Sequence, residues 1–369
     1  MKKVLFITPY FGLSGSEQQL YYILENMHTD SFRPYLFSRD NGVLLKRLSK
    51  NIPQYTGYKK HNNFLYRILR ILLYAVNINP VEFQLRLLNR KIKPDAWYIN
   101  TVANRDAFNI ARKLKVKLIT HMHELPLTYS LVKDSVIKNM IENTHLCIGC
   151  SRIVCEKLED MGHKNVQLLY GFIDEKNIAV TRTIDDIRKE LGIEQGEFVW
   201  IVSGHATTTK GVDFLIPLIK LLSAAHKIIW VGDRDKTGAS FYAEKSVKEN
   251  FEKRIIFTGK KSGDYYSYFN AGHACLSLSR EDSFPLVMLE AGHLGKPVVG
   301  FDSGGIREFI TPDIGIVATG MDFNALARSM EIVKDNYDMY DPARIKIHAK
   351  QYDPVTQTGR LVEIIEKVF

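Results

Sequence analysis

Two carboxylates eight residues apart, Asp282 and Glu290, bracket a predicted helix start in SREDSFPLVMLEAGHLGKPVVGFDSGGIREFI, residues 279–310. A strand ends at Ser279, acidic residues follow, and the helix begins near Pro285, a residue type favoured at a first helical position. The free amides of Leu286, Val287 and their neighbours then form a ready anion site. Carboxylates can grip hydroxyl groups bidentately while amides hold phosphate, so the segment suits a ligand that carries both. A glycine turn follows at Ser303-Gly304-Gly305, where backbone can approach a ligand closely. Lys210, just before Gly211, lies at another predicted helix start, an odd place for a cation because the helix N-terminus is itself positive. A phosphate there resolves the conflict. His121 and His123 in KLITHMH share one face of a strand. One of the two reads as a satisfied core histidine, and His123 is favoured for the site because it is nearer the carboxyl end.

Other residues of the right types have blander readings. Asp233-Arg234-Asp235 is a D-x-D triplet of the kind that binds metal, but it follows the strand IIWVG and reads as a strand-end turn, so no metal is expected. Cys147-Ile-Gly-Cys150 sits in the apolar run LCIGCS without a second C-x-x-C or paired histidines, and reads as buried thiols. Ser14 and Glu17 are spaced as a capping box and are explained by that alone.

The elements around these residues alternate strand and helix. VLFITPY is followed by a Gly/Ser turn at Gly12–Ser16 and the helical EQQLYYILENM, then strands PYLFS, AWYIN, KLITHMH and HLCIGC. A second series begins near residue 197 with FVWIVSG, KIIWVGD, RIIFTG, HACLSLS and KPVVGFD. Helices are expected around Val212–Ser223, Tyr242–Asn250 and Leu286–Leu294. Such alternation predicts parallel sheets covered by helices. The expected organisation is an α/β chain of two doubly wound, Rossmann-like domains facing a central cleft, with the linker at about 171–176. Residues 1–172 form the first domain and 173–350 the second, while 351–369 is a helix crossing back to the first.

Length and composition agree. The 369 residues, 45% hydrophobic and 25% charged, fit a globular protein of two domains rather than disorder or a disulfide scaffold. The start MKKVLFITPYFG has an apolar run too short for a signal peptide, and no stretch reaches a membrane span. A cytoplasmic chain, at most peripheral on the inner face of a membrane, is therefore expected. The net charge is +9, which alone points to nucleic acid, anionic lipid or phosphorylated substrates. Residues 59–93 hold eight basic residues (Lys59, Lys60, Arg67, Arg70, Arg86, Arg90, Lys91, Lys93) against one acid, Glu82. The charge is thus concentrated in apolar helical stretches broken at Pro80. A basic amphipathic helix marks an interfacial element, so an anionic membrane surface is one expected partner; packing of the apolar face on the first sheet is the competing reading. Aromatic residues are scattered without a stacking platform, and no nucleic acid is expected.

The segment 279–310 resembles family 4 of the glycosyltransferases, group 1 nucleotide-sugar enzymes of retaining mechanism and GT-B fold. That family's signature is Glu, seven residues, Glu, followed by a G-G-x-x-E element. DSFPLVMLE places Asp282 at the first glutamate, and Ser303-Gly-Gly-Ile-Arg-Glu308 supplies the second element. The resemblance covers nearly the whole chain: PYFGLSGSE is similar to the family's glycine-rich opening loop, THMHE to its histidine strand, and SGHATTTKGVDFLI to its phosphate-clamp turn.

The resemblance implies roles position by position. Glu290 holds the donor ribose, and Asp282 contacts donor-sugar hydroxyls with a shorter reach than glutamate. Phe284, Pro285, Leu286 and Val287 supply the helix start that holds the distal phosphate, and Lys210 neutralises the leaving diphosphate. His205 stands where the family carries arginine, a titratable cation in place of a permanent one; Thr207–Thr209 are further hydroxyl donors. His123 approaches the sugar, with His121 as competitor, and Gly15 belongs to the loop closing on the diphosphate. The implied activity is sugar transfer from a nucleotide-diphosphate donor, UDP among the bases, to a glycan or lipid-linked acceptor in bacterial surface polysaccharide or lipopolysaccharide synthesis. The acceptor hydroxyl attacks from the front face, with no cofactor and no metal. Competing functions are an epimerase or glycan phosphorylase on the same scaffold, and a non-catalytic module binding sugar nucleotide or membrane.

Overall fold

The computed structural model describes residues 1–57, 63–235 and 238–369. These fall into two compact units: 1–172 together with 354–369, and 173–353. Each unit is built on one wholly parallel sheet.

In the first unit the strands are β1 (Lys2–Tyr10), β2 (Phe32–Asp40), β3 (Gln54–Thr56), β4 (Ala96–Asn100), β5 (Lys117–Met122), β6 (Leu146–Gly149) and β7 (Val166–Leu168). They lie in the order β3-β2-β1-β4-β5-β6-β7. Chain order reverses between β1 and β4, which pair with Val4 opposite Ala96 and Ile7 opposite Ile99. The central strands are apolar throughout, as expected for strands covered on both faces: every residue of β4 is buried. Helix α1 (Gly15–Asn26) follows β1, and α2 (Phe64–Ala75) and α3 (Pro80–Ile92) precede β4. The C-terminal helix Pro354–Glu366 belongs to this unit. Lys117 Nζ donates to the Val368 carbonyl, 2.8 Å, and Phe369 lies against Phe32, with ring centroids 6.1 Å apart.

In the second unit the strands are β8 (Phe198–Ser203), β9 (His226–Val231), β10 (Ile255–Gly259), β11 (Ala274–Ser277), β12 (Val298–Phe301) and β13 (Gly315–Ala318). Their order, β10-β9-β8-β11-β12-β13, is that of the dinucleotide-binding Rossmann sheet. Trp200 and Trp230 fill its core. The reversal lies between β8 and β11, where Cys275 pairs with Ile201, and ligands bind beyond the carboxyl ends of strands at such a point. The expected helix at 212–223 is a 3-10 turn, Val212–Phe214, and a short helix, Leu215–Ile219. Pro217 lies within that helix, and a proline removes a backbone donor from its turn.

The four cysteines are free thiols, and burial raises the pKa of Cys147 and Cys275. After β9, the Arg234 amide donates to Asp233 Oδ1, 2.9 Å, and Ser240 Oγ donates to Asp235 Oδ1, 2.5 Å. The D-x-D triplet is thus the turn leaving that strand. Among the described residues no cluster of His, Cys, Asp and Glu could hold a metal ion.

Candidate functional site

The site in the second unit forms where the segment after β8 meets the segment after β11. β11 ends at Ser277, two residues earlier than the sequence suggested. The following backbone pairs instead with the glycine turn: the Asp282 amide donates to the Ser303 carbonyl, 2.9 Å, and the Gly305 amide to the Asp282 carbonyl, 3.1 Å. A side chain on Gly305 would meet the Ser283 carbonyl at 2.0 Å, so only glycine permits this approach. Phe284 and Pro285 are buried, anchoring helix Leu286–His293. Pro285 stands at the N-cap rather than inside the first turn, and Leu286 and Val287 carry first-turn amides without intrahelical acceptors.

Lys210 reaches the same place from the other loop. Its Nζ lies 2.5 Å from Asp282 Oδ2, and the Asp282 side chain is only 13% exposed. The lysine loop is held by glycine geometry: Gly204 has φ of 127° and Gly211 of 75°. At Gly211 an added Cβ would sit 2.2 Å from the Leu278 carbonyl oxygen. Gly211→Ala is therefore expected to cost about 1–3 kcal/mol in backbone strain and to move Lys210 away from Asp282. Thermal unfolding and nucleotide affinity check this: a lowered Tm with weakened diphosphate binding is the expected pair of results.

Arg280 connects the two loops and was not singled out from the sequence, although it lies inside the motif. Its amide donates to the Thr209 carbonyl, 2.9 Å, its guanidinium pairs with Asp213, 2.6 Å, and it stacks 3.8 Å above the Phe214 ring. His205 is exposed on the same loop.

Glu290 sits on the first turns of helix Leu286–His293. Tyr265 Oη donates to its Oε2, 2.7 Å, and Tyr266 Oη to its Oε1, 3.1 Å. Tyr265 Oη also lies 2.6 Å from Ser203 Oγ at the end of β8. Burial raises the Glu290 pKa, and the two phenol hydroxyls oppose that rise. The tyrosines come from helix Tyr265–Asn270, and nothing local in DYYSYFN announces the contact. The structure thus brings Asp282, Lys210, Glu290 and the helix start together at the strand reversal.

His123 and Gly15 lie in the first unit, at the carboxyl end of its sheet. His123 Nε2 is 2.9 Å from Asn100 Oδ1, while Asn100 Nδ2 donates to the Ser16 carbonyl, 3.1 Å. Because the amide nitrogen is already donating, Oδ1 accepts, and the His123 proton resides on Nε2. Burial lowers the His123 pKa to about 3, so the ring is neutral at ordinary pH. His121 is fully buried, 2.6 Å from Tyr98 Oη. Gly15, exposed, opens α1, and the loop before it is held by Glu17, whose Oε2 accepts the Gly12 and Ser14 amides, each at 3.2 Å. Asn100 also was not visible as a site residue from the sequence.

Two wholly parallel Rossmann-like sheets, of seven and six strands, are the architecture of the GT-B fold. Residues 183–351, within the second unit, match the family model described as glycosyl transferases group 1. The chain is 27% identical over 233 residues to N-acetyl-alpha-D-glucosaminyl L-malate synthase of Bacillus anthracis, covering 60% of this chain and 59% of that protein. It therefore spans somewhat more than half the length of that relative. It is 21% identical over 385 residues to the lipopolysaccharide 1,2-N-acetylglucosaminetransferase of Salmonella typhimurium, covering 95% and 92%. Among solved structures, HepE of Anabaena with UDP and glucose superposes with a TM-score of 0.81 at 19% identity over the full length of both chains. WaaG, a glycosyltransferase involved in lipopolysaccharide biosynthesis, gives 0.72 at 13% identity, covering 98% and 99%. These likenesses show the GT-B fold.

Proposed function

We propose that the chain is a retaining glycosyltransferase that moves a sugar from a nucleotide-diphosphate donor to a glycan or lipid-linked acceptor of a bacterial surface polysaccharide. The observation that carries this reading is the Lys210–Asp282 pair beside the amides of helix Leu286–His293, with Glu290 on the same helix. A cation and free amides suit a diphosphate, and carboxylates suit ribose and sugar hydroxyls. In the reaction the bond from the anomeric carbon to the diphosphate breaks as the acceptor oxygen bonds to that carbon from the same face. The acceptor proton passes to the departing phosphate oxygen. Lys210 and the amides stabilise the charge that develops there. On this reading His205, exposed on the same loop, is a second contact to the diphosphate. In the first unit, His123, neutral and oriented by Asn100, and Gly15, the first residue of α1, are given ligand-binding roles by the family resemblance.

UDP is the favoured nucleotide, supported by the UDP and UDP-glucose complexes of HepE. The lipopolysaccharide transferase among the relatives supports a surface-glycan acceptor. Neither a cofactor nor a metal ion is part of this reading. The chain is placed in the cytoplasm, at the inner face of the membrane where lipid-linked glycans are built. Incubating it with UDP- and GDP-sugars and extracted lipid-linked glycans should release free nucleotide and give a product with the donor's anomeric configuration. Nucleotide binding without turnover in any acceptor mixture would mark a non-catalytic module instead.

A further inference from the structure

Helix α2 is the most unusual surface of the first unit. The side chain of Asn63 caps it by accepting the Leu65 amide, 3.0 Å, and of its twelve residues only Leu73 is buried. Its large apolar side chains face outward: Phe64 and Leu65 are 75% and 72% exposed, and Ile71 and Leu72 are each 59% exposed. At 3.6 residues per turn, Phe64, Ile68, Ile71, Leu72 and Ala75 fall on one face, while Arg67, Arg70 and Tyr74 fall on one flank. Exposed Val76 and Ile78 continue the apolar surface beyond the helix. The sequence left open whether this basic segment packs on the sheet, and the structure divides the answer. α3 buries Leu85, Leu88 and Ile92, and its Glu82 is engaged by Arg86 and Lys113. α2 does not pack in this way. Lys59 and Lys60 lie outside the described residues.

A contiguous apolar surface of this kind marks a binding face, and the charge around it selects the occupant. From Asn41 to Val81 there is no acidic residue and there are seven basic ones: Lys46, Arg47, Lys50, Lys59, Lys60, Arg67 and Arg70. A second copy of this chain would bring like charge against like charge. An anionic lipid surface supplies the opposite charge and an apolar layer together. Twelve residues span roughly 18 Å, well short of the ~30 Å bilayer core, and among the described residues no helix is long and apolar enough to cross a membrane. The element lies in the interface.

We propose that α2 seats the chain on an anionic membrane, with Phe64, Leu65, Ile68, Ile71 and Leu72 inserted among the lipids and Arg67 and Arg70 against the headgroups. The flank of the same helix that carries Arg70 and Tyr74 explains the use of that position. Arg70 and Tyr74 line a cavity of about 330 Å³ with Tyr10 and Arg39 at the carboxyl ends of β1 and β2. A polar head carried on a lipid held by the outer face of α2 has this cavity beside it. The cavity's part rests on the lipid-linked acceptor reading given above, whereas the seating of α2 does not.

Co-sedimentation of the full chain with vesicles separates the two. The chain should bind phosphatidylcholine vesicles containing phosphatidylglycerol, bind pure phosphatidylcholine weakly, and lose affinity steeply as salt rises. Ile71→Ser with Leu72→Ser should abolish the association while leaving UDP binding intact, because both side chains are exposed and belong to the first unit, whereas the nucleotide residues belong to the second. Arg67→Gln with Arg70→Gln should weaken it roughly thirtyfold, from about 1 kcal/mol per basic residue near an anionic surface. Absence of vesicle binding, or binding unaltered by the serine pair, would overturn the proposal even if sugar transfer were demonstrated. Self-association of the free chain, relieved by the serine pair and without vesicle binding, would overturn it in favour of a second copy. Loss of turnover with vesicle binding retained would count against the transferase reading alone.

Discussion

Lys210→Ala is expected to lower turnover by roughly 10²–10³, the usual effect of removing one donor aimed at developing charge, with a smaller effect on fold stability. The asymmetry follows from the placement of the side chain. Lys210 is about one-third exposed, so its ion pair with Asp282 adds little to stability. In the reaction the same ammonium faces a diphosphate that gains charge as the glycosidic bond breaks, and the benefit is largest in the transition state. Lys210→Arg tests geometry as well as charge: the planar fork does not reproduce the point contact on Asp282, and only partial activity should return. Steady-state kinetics on the purified variants check this. Turnover within a few-fold of wild type in Lys210→Ala would remove the lysine from the diphosphate site.

Glu290→Gln is expected to abolish detectable transfer while making the second unit more stable at neutral pH. The carboxylate accepts hydroxyls from Tyr265 and Tyr266 and, on the proposed reading, from the donor ribose. An amide supplies one acceptor where the carboxylate supplies two, and its NH₂ opposes a phenol donor. For stability the sign is fixed by burial. Burial raises the folded-state pKa of Glu290 above the ordinary carboxylate value, so the folded state binds this proton more tightly than the unfolded chain. Stability due to this group is then greatest at low pH and falls as pH rises through the raised pKa. At neutral pH the ionised side chain opposes folding, and Gln lifts that opposition. Activity should run the other way, falling as Glu290 protonates, at a pH above the usual glutamate range. Tyr265→Phe removes a hydrogen bond that favours the anion, and should move this acid limb further up. Thermal melts and pH–rate profiles of both variants report these effects. A Glu290→Gln enzyme that is less stable at neutral pH but still active would contradict both halves.

The outline of the fold was open to reading because it follows from local pattern. Fully covered parallel strands are continuous apolar runs, and AWYIN and FVWIVS stand out for that reason. The short strands did not: β3 is Gln-Tyr-Thr at a sheet edge and β13 is four residues beginning with Gly315, neither with enough apolar length to register. The motif 279–310 was likewise legible, since the strand end, the carboxylates, the proline and the glycine turn are close in sequence. What supports the motif was not. Tyr265 and Tyr266 lie about 25 residues before Glu290 on another helix, and Arg280 reaches back 67 residues to Asp213. In the first unit Asn100 orients His123 across neighbouring strands. These contacts depend on strand order, which periodicity does not encode. Glu17 shows the reverse case: its spacing from Ser14 marked only a cap, and the structure shows the same carboxylate also holding the Gly12 amide and so shaping the loop before α1.

Calorimetric titration of UDP and GDP into the intact chain and its Glu290→Ala variant bears most directly on the central claim, that the second unit's strand reversal is a nucleotide-diphosphate site. The account predicts one diphosphate nucleotide bound per chain, UDP in preference, with binding lost in Glu290→Ala while its thermal unfolding stays cooperative. Failure of the wild-type chain to bind either nucleotide, or equal binding by the variant, would contradict it.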